Sequence, residues 1–590
     1  MSERAYRLLP TDATTFLPRL VGTHGAVAAN SYLSVNAGVD MLKAGGNAID
    51  AAVAAVFVEG VVNPQMNGIG GECPILLRQA GSARVIAVNG NTAAPARATP
   101  EALRRRGHRE MPDEGILAAG VPASFSALIT VLSRFGTMSF ADVVAPALAL
   151  AKEGFAVSAG LRNQHNFGLA ALAPKLKENW PASAGLYLPG GKVPEIGALL
   201  NNEALAKTYD WLASVERAAV RTREAKLAAV HEGYYKGEVS IAIEQWSRER
   251  DGLLERTDLE RFETRLEAPL ALDFAGATIY KCGFWTQGPA MLQALGLLSH
   301  FELRALGHNS ADYLHLLVET IKLAFADREQ YYGDPEQAWV PADVLLSPPY
   351  AKARAALIDM RHANAGHRPG DARRNAALLP PEEHLLPRSW GPGTVHVDAI
   401  DRAGNMASFT PSGGWLRNNE VIAGLGFPLS CRLMTFYLEP AHHPNAVAPF
   451  KRPRTTLTPS LAFRGGQPWM CFGTMGGDQQ EQWSLQFFLN RTVFGMTLQE
   501  AIEAPKLSSE HFPGFFAPHD HFVNRVRVEA RVGGKALDEL QRRGHDVDVA
   551  PDWTEGFISG AELYPDGRLE AGCDPRGSKS ETFPSFAFAW

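Results

Sequence analysis

Strands flanked by helices can be read at both ends of this chain but not through its middle, so any fold has to bring the two ends together. Near the start, Ser34 to Val58 carries Val35, Val39 and Leu42 at spacings of four and three, a break at Gly45-Gly46-Asn47, and a second apolar stretch rich in alanine. That pattern predicts helix, turn, helix. Short strands are expected at Pro74 to Arg78 and Arg84 to Val88, around Ala80-Gly81-Ser82. Residues 120 to 330 read as mainly helical, with a strand near Thr278 to Lys281 and a long helix from Asp312 to about Arg328. The last third alternates again, with strands at Ser460 to Phe463 and Trp469 to Gly473 and helices from Gln480 to Leu489 and Leu498 to Ala504. One α/β sandwich assembled from both halves is the expected architecture.

Bulk properties narrow the partners. The 590 residues have ample apolar content for a large core and no long low-complexity spacer. A formal net charge of −6, well mixed, leaves no footprint for nucleic acid or an anionic membrane, so a small-molecule partner is expected. Cys73, Cys282, Cys431, Cys471 and Cys573 are odd in number and far apart, which reads as buried free thiols in a reducing compartment rather than disulfides or a metal knuckle. Met1 to Phe16 has no apolar core of a secretory signal, and Ala51 to Val62 includes Glu59 and is too short to span a bilayer. The expected location is the cytoplasm.

The chemistry concentrates at Gly393-Thr394-Val395-His396. A threonine hydroxyl is a weak nucleophile, but one at a chain start has its own α-amine, of pKa roughly 7.7–8, beside it as a base. Cutting the Gly393–Thr394 bond would create that arrangement, and a residue without Cβ before the threonine suits the strained backbone such a self-cut needs. From these four residues alone a turn leading into a strand is the plainer reading. The context favours processing. Residues 397 to 410 read as a strand, an Arg402-Ala403-Gly404-Asn405 turn and a returning strand, so Thr394 would begin a hairpin. Residues 356 to 393, with Pro380-Pro381, Pro387 and Gly391-Pro392-Gly393, suit an exposed, mobile segment.

Several ordered segments carry a family resemblance: Ala44-Gly45-Gly46-Asn47-Ala48-Ile49-Asp50-Ala51-Ala52, Asn67-Gly68-Ile69-Gly70-Gly71, Gly120-Val121-Pro122-Ala123, Tyr234-Tyr235-Lys236-Gly237, Phe325-Ala326-Asp327-Arg328, Tyr332-Gly333-Asp334-Pro335, Pro459-Ser460, Gly476-Gly477 and Gly572-Cys573-Asp574-Pro575-Arg576. Over essentially its whole length the chain resembles the γ-glutamyltransferase family of N-terminal-nucleophile hydrolases. The resemblance implies an α/β (α+β) fold, a four-layer αββα sandwich with a large helical portion. It implies one precursor cut into residues 1–393 and 394–590, whose two chains stay associated, with a dimer of such pairs as a further option. No cofactor and no metal are implied. Thr394 then matches the nucleophile, and Gly476 and Gly477 match the pair whose backbone N–H groups form the oxyanion hole, although Gly-Gly on its own reads as a plain turn. Ser412, eighteen residues after Thr394, matches a family threonine that supports the terminal amine.

Departures from the family pattern are as informative. The arginine that grips the substrate α-carboxylate is replaced by Asn91, and the asparagine and aspartate that hold the α-ammonium align with Gly414 and, approximately, Thr435. Thr455-Thr456 retains the family's two-hydroxyl step, and Arg432 and Trp415 are new substrate-binding candidates. An inward Arg432 would turn that corner positive and favour a carboxylate; a surface arginine packed on Phe436 is the alternative, and for Trp415 core is the plainer reading than ligand platform. His511, His519 and His521 beside Asp520 read as a solvated loop. The expected reaction is hydrolysis of an amide in a small carboxylate-bearing molecule through an acyl-enzyme. A true γ-glutamyltransferase or glutathione hydrolase, a carbon–carbon bond hydrolase of a biosynthetic pathway, and an unprocessed non-enzymatic scaffold remain as alternatives.

Overall fold

The computed structural model describes residues 14–220, 222–379, 393–516, 519, 521–580 and 584–590. Pro380-Pro381, Pro387 and Gly391-Pro392 lie outside the described residues.

Two seven-stranded sheets form the centre. One runs Phe586–Ala589, Gly25–Ala29, Val397–Asp401, Met406–Phe409, Ile75–Arg78, Val85–Asn89, Arg265–Glu267. The other runs Leu20–Gly22, Leu569–Gly572, Ser559–Leu563, Gln467–Gly473, Ser460–Arg464, Ala277–Lys281, Leu270–Phe274. Every pairing in both is antiparallel. The Val397–Asp401 strand is buried at all five positions, because one face meets the opposite sheet and the other a helical layer.

Three apolar clusters mark the layers. Ala26, Leu76, Ile400 and Met406 of one sheet meet Leu461, Phe463, Cys471 and Ala561 of the other. Outside the first sheet pack the helices Tyr32–Lys43, Ala48–Val62 and Phe140–Glu153; outside the second pack Gly288–Leu298, Ala311–Tyr331 and Gln479–Thr492. This is helix, sheet, sheet, helix.

The expected helix–turn–helix near the start is present, and the Ala44–Ala52 motif turns out to be its hinge. Gly45 has φ +93°, Asn47 Oδ1 accepts from the N–H groups of Ile49 and Asp50, and Asp50 Oδ2 accepts from Asn47 N at 2.8 Å. This capping box starts the alanine-rich helix. Asp50 also accepts from Thr137 Oγ1 at 2.7 Å and Met138 N at 3.1 Å, which fastens the next layer. All five cysteines are buried and free. Residues 356–379 are not uniformly exposed: Gly370, Asp371 and Ala372 are buried, pinned by Asp327 and Tyr331. Among the described residues no helix is long and apolar enough to cross a membrane.

Candidate active site

The hairpin of residues 397–409 sets the site by its register. Val397 faces Phe409, and the same register carried three residues further pairs Thr394 with Ser412 in an isolated bridge. Thr394 therefore stands at the hairpin's open end rather than in its first strand. Its Oγ1 lies 3.2 Å from Ser412 Oγ, with both residues buried.

Ser412 Oγ donates to the carbonyl of Gly393, the group a self-cut would attack. Trp415 Nε1 donates to the same carbonyl at 2.8 Å and to Met66 O at 2.9 Å. Ser412 Oγ also accepts from Arg432 Nη2 at 2.9 Å. A serine hydroxyl has one proton, and here it is used on Gly393 O, so the Thr394 proton points to Ser412 Oγ. At Gly393 the structure shows close approach: a Cβ would lie 2.7 Å from Trp415 Nε1 and 3.0 Å from Phe167 Cε1.

Arg432 faces inward, 1 % exposed, on the short turn Arg432–Thr435. Its Nε meets Glu72 Oε1 at 2.5 Å, Ser430 Oγ donates to Glu72 Oε2 at 2.6 Å, and the guanidinium lies 4.8 Å from the Trp415 ring centroid. The surface alternative on Phe436 is excluded. The expectation of an uncompensated positive corner is also corrected, because Glu72 is fully buried against the guanidinium. Arg432 donates through its backbone N to Ser430 Oγ, through Nε to Glu72 and through Nη2 to Ser412. Gly413, at φ +77°, makes room for this pair, since a Cβ there would lie 2.4 Å from Glu72 Oε2.

The second wall is Gly473 to Asp478. Met475 packs with Val395 and Met66, which brings this loop beside Thr394. Gly476 and Gly477 have φ +124° and +59°, and neither N–H donates to a described residue. Their carbonyls are held instead: Gly476 O accepts from Gln479 N at 3.2 Å, and Gly477 O from Gln287 Nε2 at 2.9 Å. Because each peptide is planar and trans, fixing the carbonyl of Gly476 also aims the N–H of Gly477. The Phe325–Arg328 motif supports the loop from the helix Ala311–Tyr331. Arg328 binds Asp478 and Gln287, and Asp478 Oδ2 accepts from Phe515 N at 2.8 Å. His396 ties hairpin to loop: its ring contacts Asp398 Oδ2 at 2.9 Å and Thr410 Oγ1 at 3.0 Å, and a Cβ on Gly473 would sit 2.3 Å from its Cε1.

The remaining candidates are placed as follows. Thr455 and Thr456 are buried; Thr455 bridges Thr286, and the Gln480 amide, turned to donate, links Thr456 O at 3.1 Å to Thr474 O at 3.2 Å. Asn91 is fully buried, with Nδ2 on Pro453 O at 2.5 Å and Oδ1 unpartnered. It braces the 452–454 segment. Gly414, at φ +64°, sits against Pro428 O, and Thr435 Oγ1 donates to Arg432 O at 2.8 Å, so neither offers a free anchor. Within the histidine loop His511 is buried, and His519 and His521 are half-buried. His511 is 1 % exposed and accepts from Asn524 N at 2.7 Å, and His519 stacks on Tyr437 at 4.1 Å. Burial pushes His511 down to about 2 and His519 to about 4. Sequence reasoning missed Glu72, Ser430 and the His396–Asp398 pair. The dense glycines at 68–71 and 413–414 were the available signal for Glu72. A cavity of about 990 Å³ opens beside Tyr437, His443, Pro513 and His519, but Thr394 is not among its described lining residues.

Paired antiparallel sheets between helical layers, with a threonine at the mouth of a central hairpin, define the class of N-terminal-nucleophile hydrolases. The gamma-glutamyltranspeptidase family model matches residues 34–583, and the chain belongs to that family. Among curated relatives, the glutathione hydrolase proenzyme of Escherichia coli (strain K12) is 28% identical over 566 residues, covering 94% of this chain and 90% of its own. The solved structure of LmbA2991HD is 40% identical at TM-score 0.91, covering 98% of this chain and 100% of its own. The cephalosporin acylase from Bacillus halodurans is 27% identical at TM-score 0.82, covering 100% and 99%.

Proposed function

We propose that this enzyme cuts itself between Gly393 and Thr394 and then hydrolyses an amide bond in a small carboxylate-bearing substrate. The cut leaves a 393-residue chain and, 590 minus 393, a 197-residue chain. They stay together because backbone ladders cross between them: Gly25–Ala29 with Val397–Asp401, Ile75–Arg78 with Met406–Phe409, and Ala277–Lys281 with Ser460–Arg464. The freed α-amine of Thr394 takes the proton from Oγ1, Oγ1 attacks the substrate acyl carbon, and the N–H groups of Gly476 and Gly477 hold the oxyanion. Water then releases the acid. The acylase and glutathione hydrolase names of the relatives support amide chemistry.

The observation that carries the substrate class is Arg432. Glu72 occupies its Nε side, while Nη2 reaches Ser412 Oγ, which lies 3.2 Å from Thr394 Oγ1. A carboxylate is the natural acceptor for a guanidinium so placed. The test is a panel of short amides with and without a carboxylate, plus glutathione and a 2-oxo acid, assayed with wild type and with the neutral pair Glu72→Gln/Arg432→Gln. Losing the charge contact should cost about 2–5 kcal/mol, so selectivity for the carboxylated amides should fall by about 30-fold or more. Unchanged selectivity would remove the carboxylate reading. Turnover confined to glutathione, or to the 2-oxo acid, would replace it.

A further inference from the structure

The carbonyl of Gly393 is held by two donors from one loop, and one of them has no part in the reaction proposed above. Ser412 Oγ and Trp415 Nε1 both point at it, the indole at 2.8 Å. An indole N–H is a donor only and neither accepts nor yields a proton near neutral pH. It therefore suits an oxygen that gains charge. We propose that Trp415 is the oxyanion donor of the self-cutting step, so that two separate oxyanion sites surround one threonine: Trp415 with Ser412 for the cut, Gly476 with Gly477 for substrate. This rests on the self-processing read above.

The step balances without any co-reactant but water. Thr394 Oγ1 bonds to the Gly393 carbonyl carbon, its proton leaves through Ser412 Oγ, and negative charge collects on Gly393 O. The carbon–nitrogen bond then breaks, the Thr394 nitrogen takes the proton, and an ester joins Gly393 to Thr394 Oγ1. Water cleaves that ester to a Gly393 carboxylate and a free threonine hydroxyl. During this sequence Trp415 is kept in place from several sides. Met66 O shares the same N–H at 2.9 Å, Phe167 stands edge-on with centroids 6.3 Å apart, and Arg432 lies over its ring. The same arrangement explains the residue before the nucleophile. A side chain at position 393 would strike the indole nitrogen, since a Cβ falls 2.7 Å from it.

The glycine pair is not a rival for this step. Its N–H groups donate to no described residue, while Gly393 O already receives two donors from the Ser412–Trp415 side.

The experiment is a time course of cutting after cell-free synthesis of the full chain, read on denaturing gels, with wild type, Trp415→Phe, and a chain carrying the benzothiophene isostere of tryptophan at 415. The isostere keeps the ring's shape and loses only the N–H, so it separates hydrogen bonding from packing. Loss of one such donor typically slows a reaction about 100- to 1000-fold, and cutting of the isostere chain should slow by about that factor while its melting temperature stays near wild type. Cutting of the isostere chain at the wild-type rate would overturn the assignment and leave self-processing intact. A wild-type chain that never cuts would overturn both.

Discussion

Removing one partner of the Glu72–Arg432 pair should be the most damaging polar change near the site. Both side chains are essentially inaccessible, at 0% and 1%, so Glu72→Gln strands a buried guanidinium and Arg432→Gln strands a buried carboxylate. Breaking a buried pair from one side typically costs about 3–5 kcal/mol. With an unfolding entropy of about 2.1 cal/mol/K per residue, a chain of this length has about 1.2 kcal/mol/K in total, so each single change should lower the melting temperature by about 2–4 °C. The double change strands no charge and should recover most of that loss, a coupling of about 2 kcal/mol or more. Scanning calorimetry of wild type, both singles and the double measures it. The same four proteins report on chemistry, because Arg432 Nη2 holds Ser412 Oγ at 2.9 Å, and both singles should cut more slowly than wild type. Additive losses of stability in the double would refute the reasoning, since they would mean that neither charge depends on the other.

Two further outcomes follow from local geometry. In Gly476→Ala the new Cβ would meet Trp483 Cζ3 at 2.7 Å at φ +124°, so the loop must move; amide turnover measured on cut enzyme should fall about 100- to 1000-fold while the rate of self-cutting is unchanged. Burial holds His511 at about 2, His519 at about 4 and His545 at about 3, each below the unfolded value of about 6.5. Depressed folded values mean that the unfolded chain binds more protons, so this stability is present above pH about 6.5 and is lost as pH falls toward 4, by up to about 1.4 kcal/mol per pH unit for each group. Melting temperatures from pH 7.5 down to 4.5 check this, and a flat profile for wild type would contradict it.

Much of the scaffold was legible because its signals are local. The spacing of Val35, Val39 and Leu42, the glycine break at 45–46 and the Arg402–Asn405 turn each specify one element, and each element formed where it was expected. The pairing of Thr394 with Ser412 follows from the same hairpin, because an antiparallel register fixes which residues face each other on both sides of a turn. Glu72 was not legible. Its partner Arg432 is 360 residues away, and only the fold brings the glycine-lined turns at 70–71 and 413–414 close enough for a carboxylate to sit between them. His511 failed for a related reason: histidine in a loop with proline and aspartate reads as a wet turn, whereas His511 is covered by Gly366, 145 residues away, and by Asn524 across its own loop.

The most direct test of the account is intact mass analysis of the freshly purified chain beside Thr394→Ala. The account predicts two polypeptides in wild type, meeting between Gly393 and Thr394, and one uncut chain in the variant. A single full-length chain in both would contradict it.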